Sequence, residues 1–181
     1  LNWREICQMI PKRKADAQKG DFGRLLCITG SRNMPGACLL STQAALRGGA
    51  GLVTVATAPE NPMRLAAAAP EAMWLPLETD EAGFLRSSDQ NRKTLEKQLS
   101  RANAVLLGCG LGVTEETRRL VHWVLEQAVC PVVLDADGLN CAVSCIELSR
   151  RTGKDWILTP HPGEMARLTG RSIPQRSEER R

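Results

Sequence analysis

Short apolar runs recur along the chain, and each is followed by glycine or a turn and then by a helical pattern. The runs predict six strands, at residues 24–30, 51–57, 72–77, 104–110, 131–137 and 155–160. They are continuous rather than alternating, as expected for parallel strands that are buried on both faces. Residues 114–129 place apolar side chains three and four positions apart, which predicts an amphipathic helix. Small residues within 36–49 predict a second helix that lies close to a sheet.

This alternation of strands and helices predicts an α/β fold with a mostly parallel central sheet flanked by helices on both faces. A length of 181 residues suits a single domain. In such sheets, ligands bind in the crevice outside the carboxyl ends of the strands. The loops that follow the predicted strands are therefore the first place to look for function.

Composition excludes some classes of partner. Aromatic residues make up 3% of the chain, with no tyrosine, and the formal charge is only +4. A nucleic-acid surface usually combines a basic stripe with aromatics, so a nucleic-acid partner is not expected. No apolar run approaches the roughly 20 residues that span a membrane, and the first ten residues lack a signal-peptide core. Seven cysteines without CxxC or zinc-ligand spacing indicate free thiols in a reducing cytoplasm.

The segment GCGLG, residues 108–112, follows the fourth predicted strand and precedes a helix. Glycines at this point let backbone N–H groups approach a ligand closely. The segment is neither a Rossmann fingerprint nor a P-loop. Glu115 and Glu116 begin the next helix and already complement its dipole, which disfavours a bare phosphate there. A ligand-contacting loop and a purely structural turn both remain open.

The segment LDADGLN, residues 134–140, ends the fifth predicted strand with two carboxylates. Residues two apart on a strand point to the same face, so Asp135 and Asp137 are expected side by side. Two like charges at that spacing favour a cation, a donor or a proton between them. Helix capping by Asp137 is the alternative. Asn140 either orients a phosphate or a water, or is merely solvated.

The segment TPHPGE, residues 159–164, follows the sixth predicted strand and places His161 between two prolines that stiffen the turn. His161 as a turn cap and Glu164 as a first-turn acid are the structural alternatives. With the loop at 29–37, four ligand-type loops are expected at one sheet edge, which favours a site. His122 lies off the apolar stripe of its helix and is predicted to be on the surface.

Five segments of the chain, in the same order, resemble the ADP-dependent or ATP-dependent NAD(P)H-hydrate dehydratases. They are KGDFGRLLCITGS, GACLLSTQAALRGGAGLVTVAT, GCGLG, PVVLDADGLN and ILTPHPGEMARLTG, spread over roughly residues 11–170. The combination of DADGLN with TPHPGEMARL is specific, whereas GCGLG alone is weak. The resemblance implies a ribokinase-like fold.

The resemblance also implies a metabolite-repair enzyme, a carbon–oxygen lyase that acts on the hydrated nicotinamide ring of NADH or NADPH. ADP or ATP would be the co-substrate, with Mg²⁺ as the metal. Phosphorylation of the ring hydroxyl followed by elimination of phosphate would restore the dinucleotide. Phosphoryl transfer needs positioning and charge neutralisation more than covalent help.

The site residues implied by the resemblance form two groups. Those expected to line the hydrated dinucleotide are Ala37, Gly110, Gly112 and His161. Those at motif positions near the phosphate-transfer region are Asp135, Asp137, Asn140 and Glu164. The three carboxylates of the second group, Asp135, Asp137 and Glu164, are the implied ligands of Mg²⁺.

Two departures from the family pattern stand out. Gln18 precedes Lys19 where family members usually carry a His–Lys pair. The family's later region, with its nucleotide-holding turn and a GxGD-type loop that contains the catalytic Asp, has no match in residues 1–181. We therefore expect a single ribokinase-like domain, residues 1–181, that lacks its C-terminal third and the catalytic residue. Its uncovered sheet surface predicts self-association into a homo-oligomer. Whether an upstream epimerase domain precedes Leu1 is open.

Two alternatives to the dehydratase remain. One is a small-molecule kinase of the same fold, acting on a vitamin-precursor alcohol, because lasting transfer of a phosphoryl group would need the same loops. The other is a non-catalytic module that keeps a dinucleotide-binding surface. A hydride-transferring dehydrogenase is disfavoured, because the Rossmann fingerprint and its acidic ribose partner are absent from the sequence.

Overall fold

The computed structural model describes residues 2–9, 14–145 and 155–170. Six strands are present, each within a range that the sequence predicts. They are β1 (Arg24–Ile28), β2 (Leu52–Thr57), β3 (Met73–Pro76), β4 (Ala104–Leu107), β5 (Val132–Leu134) and β6 (Trp156–Leu158). The strand predictions are confirmed, and the residues beyond β1, β4, β5 and β6 form the loops of the candidate site.

Seven α-helices connect or flank these strands in the described ranges. They are α1 (Trp3–Met9), α2 (Pro35–Arg47), α3 (Asn61–Leu65), α4 (Asp89–Leu99), α5 (Glu115–Gln127), α6 (Asp137–Ala142) and α7 (Pro162–Thr169). The helices predicted at 36–49 and 114–129 are α2 and α5. Within the same ranges, no helix has both the length and the apolar character needed to cross a membrane.

The sheet order is β3-β2-β1-β4-β5-β6, and every neighbouring pair is parallel. The chain first adds strands outward from β1 to β3 and then returns to place β4 on the other side of β1. This reversal creates a switch point between β1 and β4, where the following loops diverge and leave a crevice. The topology therefore predicts a ligand site at the carboxyl ends of these two strands.

Helices cover both faces of the sheet, as the sequence predicts. The larger core lies between the sheet and helices α4, α5 and α6, and it contains Leu107, Leu120 and Leu139. The smaller core lies on the opposite face against α2 and contains Cys27 and Cys38. Alternate residues of each strand supply the two cores, because successive side chains on a strand point to opposite faces.

Helix α5 shows why the sequence folds as predicted. The hydroxyl of Thr114 accepts a hydrogen bond from the backbone N–H of Thr117 and caps the helix. The apolar stripe that follows is fully buried in the larger core. The sequence predicts His122 on the surface, but the residue also has a partner within the fold. Its Nε2 lies 3.1 Å from the carbonyl oxygen of Cys141 on α6. The polar edge of the imidazole thus joins two packed helices.

One apolar row of the sheet loses its cover toward β6. Cys27, Leu106, Val133 and Ile157 align across neighbouring strands. Cys27 is completely buried beneath α2, whereas Ile157 is 56% exposed. An apolar sheet face is therefore exposed at this side of the described structure, as expected from the sequence. Self-association through it stays a prediction.

The larger core should dominate stability. Replacing the buried Leu120 of α5 with alanine leaves a cavity and should lower the free energy of unfolding by about 2–5 kcal/mol. Leu40 of α2 is 70% exposed, so Leu40→Ala should change it by less than about 0.5 kcal/mol. Urea denaturation of the two variants measures the difference. Equal losses would contradict the assignment of the core.

Candidate active site at the carboxyl edge of the sheet

The loops that follow β1 and β4 are joined by backbone hydrogen bonds at the switch point. The N–H of Gly30 donates to the carbonyl oxygen of Cys109 at 2.8 Å, and the N–H of Ser31 donates to that of Gly110 at 2.7 Å. The predicted convergence of these loops at one sheet edge is confirmed. Their backbones form a continuous surface where the topology places a ligand.

Two glycines bring the loops that follow β4 and β5 into backbone contact. A Cβ atom on Gly108 would overlap the carbonyl oxygen of Asp135, and one on Gly138 would overlap that of Leu107. Gly108 also has a φ of +131°, which favours glycine. These positions accept no side chain without displacing the neighbouring backbone, so the contact depends on glycine.

Ala37 and Gly110, both predicted to bind the substrate, touch each other across the switch point. Gly110 has a φ of +69°, and an ideal Cβ on it would lie 2.8 Å from the Cβ of Ala37 in the first turn of α2. The absence of a side chain on Gly110 allows this close packing. Gly110 is buried, whereas Ala37 is half-buried, so the methyl group of Ala37 is the part of the contact that a planar ring could reach.

Gly112, the second of the two glycines predicted for the substrate group, is held by its neighbours. Its N–H donates to Oδ2 of Asp137 at 2.8 Å. A Cβ atom on Gly112 would overlap the ring of Phe84. The structure thus gives this glycine a close-packing role, and its N–H is engaged by the carboxylate rather than directed at a ligand.

Asp135 and Asp137 do not form the predicted same-face pair on a strand. Strand β5 ends at Leu134, and Ala136 then adopts φ +50° and ψ −120°, so the alternation of a strand does not apply. A positive φ at a non-glycine residue costs on the order of 1–3 kcal/mol and often marks a functional site. Ala136, without a side-chain cap, occupies the N-cap position of α6, so Asp137 is not the cap.

The two carboxylates instead hold different loops. Oδ1 of Asp135 accepts from the hydroxyl of Thr159 at 2.8 Å, which joins the loops after β5 and β6. Its Oδ2 accepts from the thiol of Cys109 at 3.4 Å, which reaches the loop after β4. Asp137 accepts from Gly112 in that same loop. Asp135 is therefore the side chain that ties three of the four loops together.

Burial, followed by the negative charge of Asp135, raises the pKa of the Cys109 thiol to about 12. The thiol therefore remains protonated at neutral pH and acts as a hydrogen-bond donor. Because the thiolate is the reactive form, this cysteine is poorly suited to be a nucleophile.

His161 and Glu164 form a reciprocal cap at the start of α7. Nδ1 of His161 accepts from the N–H groups of Gly163 at 3.0 Å and Glu164 at 3.4 Å. Oε2 of Glu164 accepts from the N–H of His161 at 2.9 Å. This is the structural alternative weighed for both residues, and the structure contains it.

The cap leaves much of the imidazole ring exposed, although both ring nitrogens have partners within the turn. Because Nδ1 accepts two hydrogen bonds, the neutral ring carries its proton on Nε2. Nε2 lies 3.3 Å from Oε1 of Glu164, and the His161 side chain is 62% exposed, whereas that of Glu164 is 7% exposed. In the described part of the chain, the hydrogen bonds of His161 stay within its own turn. A binding role at Ala37 and Gly110 therefore remains a prediction.

Asn140 is central to a group on the helices beside the loops. Its Oδ1 accepts from Nε of Arg167 on α7 at 2.7 Å, and its backbone carbonyl accepts from Nη1 of Arg118 on α5 at 3.1 Å. The sequence suggested that Asn140 either orients a ligand or is solvated, and neither alternative included contacts with arginines. Asn140 brings two guanidinium groups together.

The implied Mg²⁺ ligands do not form a protein cage. No group of three or more His, Cys, Asp or Glu side chains that could hold a metal ion occurs among residues 2–9, 14–145 and 155–170. Asp135, Asp137 and Glu164 each accept hydrogen bonds from separate partners. Mg²⁺ usually keeps several waters and shares phosphate oxygens with one or two carboxylates. Binding of Mg²⁺ here stays a prediction that depends on a nucleotide.

Two site-supporting residues, Thr57 and Asn61, were missed in the sequence. The hydroxyl of Thr57 donates to the carbonyl oxygen of Gly30 at 3.0 Å. Nδ2 of Asn61 donates to the carbonyl oxygen of Ser31 at 3.2 Å and to the Thr57 hydroxyl at 2.7 Å. Both residues are fully buried and fix the loop after β1. A threonine at a strand end, followed by Asn-Pro at a helix start, was the available signal.

The family model described as NAD(P)H-hydrate dehydratase matches residues 25–181. The chain belongs to this family. It is 39% identical over 180 residues to the bifunctional NAD(P)H-hydrate repair enzyme of Coxiella burnetii. The aligned residues cover 99% of this chain and 33% of that protein. It is 38% identical over 163 residues to the ADP-dependent (S)-NAD(P)H-hydrate dehydratase of Xanthomonas campestris, covering 90% of this chain and 53% of that one.

Solved structures establish the ribokinase-like fold. A ribokinase-like superfamily protein of Enterococcus faecalis superposes with a TM-score of 0.80 at 27% identity, covering 97% of this chain and 58% of that one. The ADP/ATP-dependent NAD(P)H-hydrate dehydratase of Bacillus subtilis, co-crystallised with ATP and Mg²⁺, gives 0.72 at 30% identity, covering 98% and 58%. The chain thus spans between one third and somewhat over half of the length of these family members.

The environment of Cys109 can be tested by alkylation. At neutral pH, iodoacetamide should modify Cys109 far more slowly than the free, exposed Cys7 in the same sample. Asp135→Asn removes a negative charge, so the thiol pKa should fall and the rate should rise about tenfold for each pKa unit lost. Asp89→Asn, at an exposed acid of α4, should leave the rate unchanged. Mass spectrometry of the peptides gives both rates, and a slower reaction in Asp135→Asn would contradict the account.

Proposed function

We propose that this chain binds the hydrated nicotinamide ring of NADH or NADPH at the carboxyl edge of its sheet and takes part in ADP-dependent or ATP-dependent dehydration. The observation that carries the proposal is the contact between Ala37 and Gly110 at the switch point. Both residues match the substrate-binding positions of the family motifs. Ala37 is half-buried and carries only a methyl group, so a ring could lie against it beside the loop that holds Gly110.

Within this proposal the described residues bind and position the substrate. Ala37 and Gly110 form the floor of the ring site, and Gly112 sets the course of the loop through its bond to Asp137. Nε2 of His161 lies 3.3 Å from Oε1 of Glu164. It would donate to a polar group of the dinucleotide by sharing or exchanging that contact. No general acid or base is assigned among these residues. The carboxyl of Asp135 keeps the loops in register through Thr159 and Cys109.

The proposed reaction proceeds in two steps. The ring hydroxyl attacks the terminal phosphorus of ADP or ATP and loses its proton, while the bond from that phosphorus to the bridging oxygen breaks and releases AMP or ADP. The resulting phosphate ester is a good leaving group. Loss of inorganic phosphate and a proton from the adjacent carbon then restores the ring double bond. Mg²⁺ bound with the nucleotide would neutralise phosphate charge. The loops of the chain would contribute by holding the ring in place, so that phosphorylation and elimination occur before the substrate dissociates.

The range covered by the chain limits what is proposed for residues 1–181 alone. They span 53% of the Xanthomonas dehydratase. For these residues alone, we therefore expect dinucleotide binding ahead of complete dehydration. We treat these residues as one domain. Association of copies through the exposed face around Ile157 belongs to the same proposal. So does residence in the cytoplasm, which is supported by six free cysteines in the described ranges.

Variants of His161 separate binding from capping. His161→Ala should weaken binding of hydrated NADPH about three- to tenfold, because one hydrogen bond is lost. It should also lower stability by about 0.5–2 kcal/mol, because the helix cap is lost. Asparagine is a good N-cap, so His161→Asn should restore most of the stability but not the affinity. Calorimetric titration and urea denaturation of the same preparations measure the two effects.

The other histidine provides the control, and His122→Ala should leave the affinity unchanged. Wild-type affinity in both His161 variants would show that the turn is structural only. With ADP or ATP and Mg²⁺ added, regain of the reduced-nicotinamide absorbance supports dehydration. Binding without turnover would favour the non-catalytic alternative, and a lasting phosphorylated product would favour the kinase.

A further inference from the structure

A wide, open pocket lies between helices α5, α6 and α7, beside the loops of the candidate site. Its volume is about 400 Å³, within the range of roughly 300–1,000 Å³ that small-molecule sites occupy. The residues that line it are Val113, Arg118, Asn140, Val143 and Arg167. Two of these five carry a positive charge, and none carries a negative one.

Asn140 fixes both arginines at the pocket. Its backbone carbonyl accepts from Nη1 of Arg118 at 3.1 Å, and its Oδ1 accepts from Nε of Arg167 at 2.7 Å. The amide group cannot rotate freely, because Nδ2 donates to the carbonyl oxygen of Ala136 at 3.3 Å. The two guanidinium groups are therefore both anchored on Asn140 before any ligand binds.

Among residues 2–9, 14–145 and 155–170, Asn140 is the acceptor found for each of these two arginines. A guanidinium carries five N–H groups, and Asn140 accepts one hydrogen bond from each arginine. The ion pairs found within the described ranges involve Arg32, Arg119 and His161. Arg118 and Arg167 thus have no carboxylate within ion-pair distance in that part of the chain. Within the described residues, the two anchored cations thus share this pocket with no anionic side chain, which favours an anionic ligand.

We propose that Arg118, Asn140 and Arg167 form a binding site for a phosphate group. The planar donors of guanidinium groups match the oxygens of phosphate, and hydrogen bonds between ionised partners are stronger than neutral ones. Anchoring by Asn140 lowers the entropic cost of ordering the two side chains. Val113 and Val143, both partly exposed, supply an apolar wall for the organic part of a phosphate ester. Asn140 is also among the residues that the resemblance implies near the phosphate-transfer region, whereas Arg118 and Arg167 are not. Phosphate binding by the two arginines does not require that dehydration takes place.

The shared chemistry has two sources, free inorganic phosphate and the phosphate of a nucleotide. Calorimetric titrations of the 181-residue chain with inorganic phosphate, AMP and adenosine distinguish them. Arg118→Gln and Arg167→Gln should each weaken phosphate or AMP binding at least about tenfold. Arg119→Gln on the same helix is the matched control, because Arg119 faces Glu115 and Glu116 on the exposed side, and its affinity should stay unchanged.

The outcomes separate clearly. Binding of inorganic phosphate that is lost in both pocket variants supports a site for the free anion. Binding of AMP, but not of phosphate or adenosine, that is lost in the same variants supports a nucleotide phosphate. Failure of phosphate and AMP to bind, or equal affinity in wild type and pocket variants, would overturn the proposal. In the wild type, the guanidinium NMR signals of Arg118 and Arg167 should shift during the titration, which needs no variant.

Discussion

Backbone contact between the loops after β4 and β5 is the constraint on which the rest of the site depends. It exists because Gly108 and Gly138 lack side chains where a Cβ atom would overlap the opposing backbone. A substituent at either position must push the loops apart. This displacement would also move Gly110 relative to Ala37, because Gly110 lies in the same loop as Gly108. Close packing, rather than a charged cluster, therefore determines the shape of the candidate site.

Hydrogen bonds extend this contact to the neighbouring loops. Asp135 reaches Thr159 after β6 and Cys109 after β4, while the backbone of Gly30 reaches Cys109 from β1. Ala136 adopts an unfavourable backbone conformation between the two aspartates, and that strain is sustained by the contacts on either side. Asp135 and Asp137, which the family resemblance implies as Mg²⁺ ligands, thus hold the loops in place. A metal in this region would depend on nucleotide phosphates for its remaining ligands.

The sequence was sufficient for the sheet and for the edge that holds the candidate site. Continuous apolar runs predict buried parallel strands, and the topology rule then places the loops after β4, β5 and β6 together. Contacts between loops could not be predicted from the sequence. The bond from Gly112 to Asp137 and the pairing of Arg118 and Arg167 through Asn140 link helices or loops that are 22–27 residues apart. The positive φ of Ala136 has no signature in residue type, because alanine normally avoids that region.

The central claim is that a hydrated nicotinamide ring lies on the surface formed by Ala37 and Gly110. Backbone amide NMR of the isotopically labelled chain, titrated with hydrated NADPH, tests it most directly. The account predicts the largest shifts at Ala37, Gly110 and His161, with little change at Gly20 and Gly51 near the opposite edge of the sheet. Shifts concentrated at the opposite edge, or none at saturating ligand, would contradict it.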